Sequence, residues 1–62
     1  MREYFDKSTR PLHVGSRVLV DLDGKQREGR IARFEDQTGS VWIDHTDLHG
    51  SVAMPEELDL LD

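Results

Sequence analysis

Two histidines flanked by aspartates are the residues of this sequence whose types and spacing could hold a metal ion. His45 and His49 lie four positions apart, with Asp44 and Asp47 beside them. Two imidazoles and a carboxylate form a common ligand set for zinc or iron. All four residues, however, fall in a predicted strand end and turn, where an aspartate also bonds to nearby backbone. We therefore expect polar turn residues here, with no metal site and no cofactor.

A short basic segment, residues 25–33, could contact phosphates. Its basic side chains are Lys25, Arg27, Arg30 and Arg33. With Trp42 or Phe34 as a stacking platform, they suit a small nucleic-acid patch. The whole chain has 8 basic and 13 acidic residues, a net charge of −5, whereas phosphate-binding proteins usually carry the opposite sign. Nucleic acid is therefore a possible but disfavoured partner, and we favour a solvated hairpin that faces the acidic half.

Aromatic and acidic side chains favour a surface that binds a protein. Trp42 is predicted to face solvent with Phe34 nearby, and aromatic residues within a polar rim are typical of interface hot spots. The acidic candidates for this surface are Asp44, Glu56 and Glu57. Residues 1–33 hold eight basic and five acidic residues (+3), whereas residues 34–62 hold eight acidic residues and no Lys or Arg (−8). We therefore predict a basic partner protein for the acidic half.

No combination of nucleophile, base and acid is evident. The serines lie in predicted turns or near the amino terminus, without a G-x-S-x-G motif, and no glycine-rich phosphate loop is present. Acid–base catalysis needs groups in a pocket that excludes water, and 62 residues leave little volume for one. We predict that the protein is not an enzyme.

Short β-type segments separated by turns must position these side chains. Val18, Val20 and Leu22 alternate with more polar positions, the pattern of a half-buried strand, and Asp23-Gly24 suits a tight hairpin turn. The predicted strands are RVLVDL, QREGRIARF, SVWID, SVAM and a closing Leu58–Leu60 segment, with one helical turn at Pro55-Glu56-Glu57 before the last.

The second strand holds the least regular pattern. Gly29 in its middle is typical of a bulge or a sharp bend, and Ile31 is its surest core residue. A bulge would turn Phe34 inward, and without one Arg33 would lie at the mouth of a barrel. We favour the bulge. In the third strand, alternation turns Trp42 outward.

The chain length and composition predict one domain, residues 14–62, preceded by an N-terminal arm, residues 1–13. The aromatic pair Tyr4 and Phe5 is expected to dock on the body or on a neighbour. With 35% hydrophobic residues and no cysteine, the core is marginal, so a homo-oligomer is possible. The chain has neither an apolar run of membrane-spanning length nor a signal-peptide pattern, and we expect a cytoplasmic protein without membrane contact.

The strand layout resembles the SH3-like small β-barrel superfamily from Val14 to Leu61. The resembling segments are Val14-Gly15-Ser16-Arg17-Val18, Gly29-Arg30-Ile31, Gly50-Ser51-Val52 and Pro55-Glu56-Glu57-Leu58. Tudor and KOW modules, photosystem I subunit IV, the variable chain of ferredoxin-thioredoxin reductase and type II dihydrofolate reductase look similar. The resemblance implies an all-β, five-stranded barrel with a short helical turn before the last strand, and only the fold transfers.

Type II dihydrofolate reductase is the enzymatic relative in this group. Its pore uses a Gln-Ile-Tyr strand directly after a G-S-V segment, whereas this chain has Ala53 and Met54 there, with Pro55 where the tyrosine would lie. A reductase-like oligomeric enzyme is therefore a remote alternative. The leading hypothesis is a non-catalytic protein-interaction or regulatory module, and the second is a KOW- or Tudor-like nucleic-acid or transcription accessory.

Overall fold

The computed structural model describes residues 3–46 and 49–61, and the regular structure of this part is β except for one 3-10 turn. The strands are β1 Tyr4–Phe5, β2 Pro11–Leu12, β3 Arg17–Leu22, β4 Lys25–Glu35, β5 Ser40–Asp44, β6 Ser51–Ala53 and β7 Asp59–Leu60, and the 3-10 turn is Pro55–Glu57. The all-β prediction and the helical turn before the last strand are confirmed. No helix of the described ranges has the length and apolar character of a membrane span.

The strands form two antiparallel sheets. β1 and β2 make a two-stranded hairpin, and the other strands make a five-stranded sheet in the order β6-β5-β4-β3-β7. Each neighbouring pair in the larger sheet is antiparallel. β6 and β7 are its edges and do not pair with each other, so the hydrogen-bonded sheet is open.

The β3–β4 hairpin follows directly from its residue pattern. Val18 and Val20 are buried, as their alternation predicts. Leu22 pairs with Lys25, which leaves a two-residue turn. Asp23 and Gly24 have φ angles of 54° and 81°, the positive values that a tight hairpin turn needs and that aspartate and glycine tolerate best.

β4 is long because it changes partners along its length, and a bulge marks the change. Ile31 lies opposite Ile43 and Arg33 opposite Trp42, so the bulge leaves Ala32 without a partner. The extra residue reverses the alternation, and Phe34 packs against the core. The predicted inward turn of Phe34 is confirmed.

The predicted irregularity at Gly29 has a different basis. This residue pairs regularly with Val18, so the bulge lies three positions further along the strand. A Cβ at position 29 would overlap Cγ2 of Ile43 and lie 2.8 Å from the carbonyl oxygen of Asp44. Glycine is needed because β5 crosses too close for any side chain.

One hydrophobic core joins the two sheets. Its buried members are Tyr4, Leu12, Val18, Val20, Ile31, Val41, Ile43, Ala53 and Leu58. In β5 the inward face of Val41 and Ile43 is as predicted, and Trp42 between them is 40% exposed. At β6, Val52 and Met54 are exposed, whereas Ala53 between them is buried.

The segment predicted as an N-terminal arm contributes to this core. Tyr4 is 7% exposed and its ring stacks on Phe34 with centroids 4.4 Å apart. Leu12 is buried as well, whereas Phe5 stays 43% exposed. The aromatic pair is therefore split, with one ring in the core and one at the surface.

Candidate functional site

A buried carboxylate fastens the β1–β2 hairpin to the larger sheet. The side chain of Asp6 is fully buried. Its Oδ1 accepts hydrogen bonds from the backbone amides of Ser8 and Arg10 at 2.9 and 2.8 Å. Its Oδ2 accepts one from the amide of Leu60 at 2.9 Å and lies 3.0 Å from Nη2 of Arg10. Residues 54 positions apart are thereby joined.

The hydrogen bonds to Asp6 determine its protonation. Burial alone would raise the pKa of this carboxyl, but the amides of Leu60, Arg10 and Ser8 and the charge of Arg10 outweigh burial, so the pKa is lowered below 3.8. Sequence reasoning missed this residue. The sequence contained one indication of its role, because an aspartate two positions before a serine in a polar segment is typical of a side-chain turn.

Beside this hairpin lies a groove of about 740 Å³, here called the hairpin groove. Its lining comprises Glu3, Tyr4, Phe5, Pro11, Leu12, His13, Val14, Arg33, Phe34 and Asp36. Phe5 is 43% and Val14 65% exposed, so part of its apolar lining is open to solvent. Exposed apolar surface beside polar groups is typical of a binding site.

Charges of both signs line the hairpin groove. Glu3 and Asp36 supply carboxylates, Arg33 supplies a cation, and the imidazole of His13 also lines the groove. The hydroxyl of Tyr4 donates a hydrogen bond to Asp36, which fixes one carboxylate at the groove. The groove therefore combines an apolar floor with a net negative lining.

Arg33 connects the hairpin groove to Trp42. The guanidinium lies over the indole ring, with Cζ 4.5 Å from the ring centroid, which is a cation–π geometry. Nη1 of Arg33 also lies 3.5 Å from Oε2 of Glu35. On its other side Trp42 lies opposite Val52 of β6, which is 50% exposed. A strip of Arg33, Trp42 and Val52 thus crosses three strands on the outer face of the sheet.

The predicted acidic binding residues are not brought together. Asp44 ends β5, whereas Glu56 and Glu57 follow β6. Since β5 and β6 are antiparallel, with Val41 opposite Ala53, these carboxylates lie toward opposite ends of the strand pair. Oε1 of Glu57 also accepts the amide of Met54 at 3.1 Å, so this residue has a structural contact. Phe34, another predicted binding residue, is half-buried under Tyr4 at the hairpin groove.

The basic candidates divide between the two faces of β4. Lys25 lies opposite Leu22 and Arg27 opposite Val20. Both are therefore on the face of β4 that, later in the strand, packs into the core. Arg30 and Arg33 lie on the outer face, where Nη1 of Arg30 donates to the carbonyl of Gly15 at 3.2 Å. The four residues therefore do not form one surface for a phosphate backbone.

The histidine predicted as a metal candidate bridges two strands. Nδ1 of His45 lies 3.0 Å from the carbonyl oxygen of Glu28, and Nε2 lies 2.8 Å from Oγ of Ser51. Because a carbonyl can only accept, Nδ1 donates to Glu28, while Nε2 pairs with the serine hydroxyl. Asp47 lies outside the described residues. Among residues 3–46 and 49–61, no three histidine or carboxylate side chains gather as a metal site would require.

A second, open cleft of about 620 Å³ lies beside His45. It is lined by Gln26, Arg27, Glu28, Gly29, Arg30, Asp44, His45 and Thr46. Most of these side chains are polar or charged, with both signs interspersed. The hairpin groove is the more apolar of the two, and we take it as the candidate functional site.

No protein-family model matches this chain, and no curated protein and no solved structure matches it.

Proposed function

We propose that this chain is an SH3-like small barrel that acts as a non-catalytic protein-interaction module. The hairpin groove binds a segment of a partner protein that carries apolar and basic side chains. The exposure of Phe5 and Val14 beside the carboxylates of Glu3 and Asp36 carries the proposal.

Strand order and curvature support the barrel part of the proposal. The order β6-β5-β4-β3-β7 places the two strands that flank the 3-10 turn at opposite edges. β4 pairs with β3 through its first half and with β5 through its second, with the bulge at Ala32 between Ile31 and Arg33. A bulge raises local bend and twist, and the close approach of Ile43 to Gly29 supports a strongly curled sheet.

Surface chemistry supports a protein partner. A peptide segment that covers Phe5 and Val14 removes apolar area from water, at about 25 cal/mol per Å². The carboxylates of Glu3 and Asp36 outnumber the one cation of the groove, Arg33, so lysine or arginine of a partner is favoured over aspartate or glutamate. Trp42 extends this surface beyond Arg33, and aromatic side chains are common interface anchors.

The test begins with peptides selected from a phage-displayed random library against the immobilised protein. Selected sequences are expected to carry lysine or arginine next to aliphatic or aromatic residues. Calorimetry then compares one selected peptide on Val14→Ser and Val52→Ser. These two valines are matched, being 65% and 50% exposed, but only Val14 lines the hairpin groove.

The expected result is about tenfold weaker binding for Val14→Ser, since full burial of a valine contributes roughly 1.5 kcal/mol or more. Val52→Ser should bind like the wild type. Equal affinities of the two variants, or a library that yields acidic peptides, would show that the hairpin groove is not the docking site.

The nucleic-acid alternative gains no support from the geometry, because its basic residues lie on two faces of β4. It makes a distinct prediction, namely that a single-stranded oligonucleotide binds and that Arg27→Glu and Arg30→Glu each weaken it. Fluorescence anisotropy at low and moderate salt measures this directly, since phosphate contacts weaken steeply with salt.

A further inference from the structure

The free edge of β6 offers one unpaired backbone unit, which the hydrogen bonds of its neighbours locate. The amide of Ile31 donates to the carbonyl of Ser16 at 3.0 Å, and its own carbonyl accepts from Gly15 at 2.8 Å. The backbone polar groups of Ile31 therefore point toward the β3 side of the sheet. Since Ile31 lies opposite Ile43, the two form a non-hydrogen-bonded pair, and the groups of Ile43 point toward β6.

The alternation then assigns the next residues. If Ile43 bonds toward β6, its neighbour Trp42 bonds toward β4. Val52 lies opposite Trp42, so its N–H and C=O point away from β5, out of the sheet. Within the part of the chain that the structure describes, no further strand lies on this side of β6.

Met54 shares this orientation but is already bonded. Its amide donates to Oε1 of Glu57 at 3.1 Å, and its carbonyl accepts from the amide of Glu57 at 2.9 Å. The open edge is therefore short, with the donor and the acceptor of one exposed residue, Val52, between the 3-10 turn and Gly50. An unpaired strand edge is a template for another strand.

A second copy of this chain matches that edge by symmetry. Two β6 strands related by a two-fold axis at Val52 run antiparallel, and each Val52 N–H donates to the C=O of the other. In this register Met54 of one copy lies opposite Gly50 of the other, a residue without a side chain.

Side chains on the outer face continue across such a pair. Val52 projects beside Trp42, so the two copies place Trp42, Val52 and their symmetry mates in one row, at about 4.8 Å per strand. The apolar surface that each chain leaves exposed is thereby joined, which helps a chain whose own core is small.

We propose that β6 pairs with β6 of a second copy, centred on Val52, to give a two-fold dimer with a continuous sheet. The dimer uses a different surface from the hairpin groove and does not depend on it. Each copy carries a net charge of −5, so the copies repel each other and salt strengthens the dimer. A complex with a basic partner weakens in salt, so the two associations respond oppositely.

Sedimentation from 1 µM to 1 mM protein, at low and high salt, provides the test. The apparent mass is expected to rise from 7.1 kDa to twice that value as the protein concentration increases. In high salt this rise should occur at a lower protein concentration. Val52→Pro lacks the amide donor, and proline is tolerated at a free strand edge, so it should stay a monomer. Val52→Thr keeps the amide and the branched shape, so it should dimerise like the wild type.

A second measurement on the wild type covers the case in which Val52→Pro fails to fold. In a mixture of isotope-labelled and unlabelled protein, contacts between the Val52 backbones of two copies are expected at high concentration. A monomer at 1 mM in high salt overturns the proposal, as does a dimer that Val52→Pro leaves intact or one whose copies touch elsewhere. Protection of the Val52 amide only on addition of a different protein would assign the edge to that partner instead.

Discussion

The two edges of the five-stranded sheet differ in how they are covered. At β7 the N-terminal hairpin closes the edge, because Lys7 donates its amide to the carbonyl of Leu58 at 3.0 Å and Asp6 accepts the amide of Leu60. At β6 the backbone of Val52 faces outward, and no strand formed by residues 3–46 and 49–61 lies beside it. One edge is bonded within the chain, and the other is the edge proposed here to pair with a second copy.

This difference separates stability from binding. The covered edge joins the first and last strands through a buried carboxylate, so changes there act on folding. The open edge carries exposed side chains such as Val52, so changes there are expected to act on the proposed association with little effect on folding.

The largest expected effect is at Asp6. Asp6→Asn replaces one acceptor oxygen with an NH₂ group, which opposes donors of Leu60 or Arg10 inside the protein. We expect a loss of about 2 to 4 kcal/mol in the free energy of unfolding, measured by urea denaturation. Asp59→Asn is the control, because Asp59 also contacts Arg10 but its side chain is 38% exposed, and its loss should stay below about 1 kcal/mol. Equal losses in both variants would contradict the role given to the buried carboxylate.

The second effect is at the centre of the sheet and should affect both edges alike. Gly29→Ala forces a methyl group onto Ile43 and within 2.8 Å of the carbonyl oxygen of Asp44. We expect a loss of about 1 to 3 kcal/mol. Gly24→Ser is a useful comparison, since position 24 has open space but a positive φ of 81°, so its smaller loss reports backbone strain alone. A neutral Gly29→Ala would show that β5 does not cross β4 as closely as described.

Low pH should reduce the stability that Asp6 contributes at the covered edge. Because the folded-state pKa of Asp6 lies below its ordinary value of 3.8, its contribution is fully present above that pH and is lost as the pH falls through the folded-state pKa. Stability of the wild type should therefore fall more steeply below pH 3.8 than that of Asp6→Asn. Parallel pH profiles of the two proteins would mean that Asp6 is not the group responsible.

The smallest effect is expected beside the open edge. Glu57→Gln keeps an oxygen acceptor for the amide of Met54 on an exposed turn, so the free energy of unfolding should change by less than about 0.5 kcal/mol. The same urea assay applies. A loss as large as that of Asp6→Asn would mean that the two edges do not divide the stability as described.

The sequence pattern predicts the centre of the sheet well. Alternation in β3 and β5 gives the buried valines and the outward Trp42, and Asp23-Gly24 gives the hairpin between β3 and β4. These features depend on neighbours within a few residues. Local geometry and burial therefore suffice to predict them.

Features that depend on contacts between distant residues cannot be predicted from the local sequence pattern. Nothing around Asp6 indicates that it will accept the amide of Leu60, since that contact exists only once the first and last strands meet. The need for glycine at position 29 comes from the crossing of β5 and not from a local bulge. The division of the basic residues between two faces requires the register of β4 against both neighbours.

Amide hydrogen exchange at Leu60 and Val52 tests the contrast between the edges most directly. In dilute protein at low salt, the Leu60 amide should exchange near the rate of global unfolding, whereas the Val52 amide should exchange rapidly. As protein concentration rises in high salt, Val52 should become protected while Leu60 is unchanged. Rapid exchange of Leu60, or equal protection of both amides in dilute protein, would contradict the account.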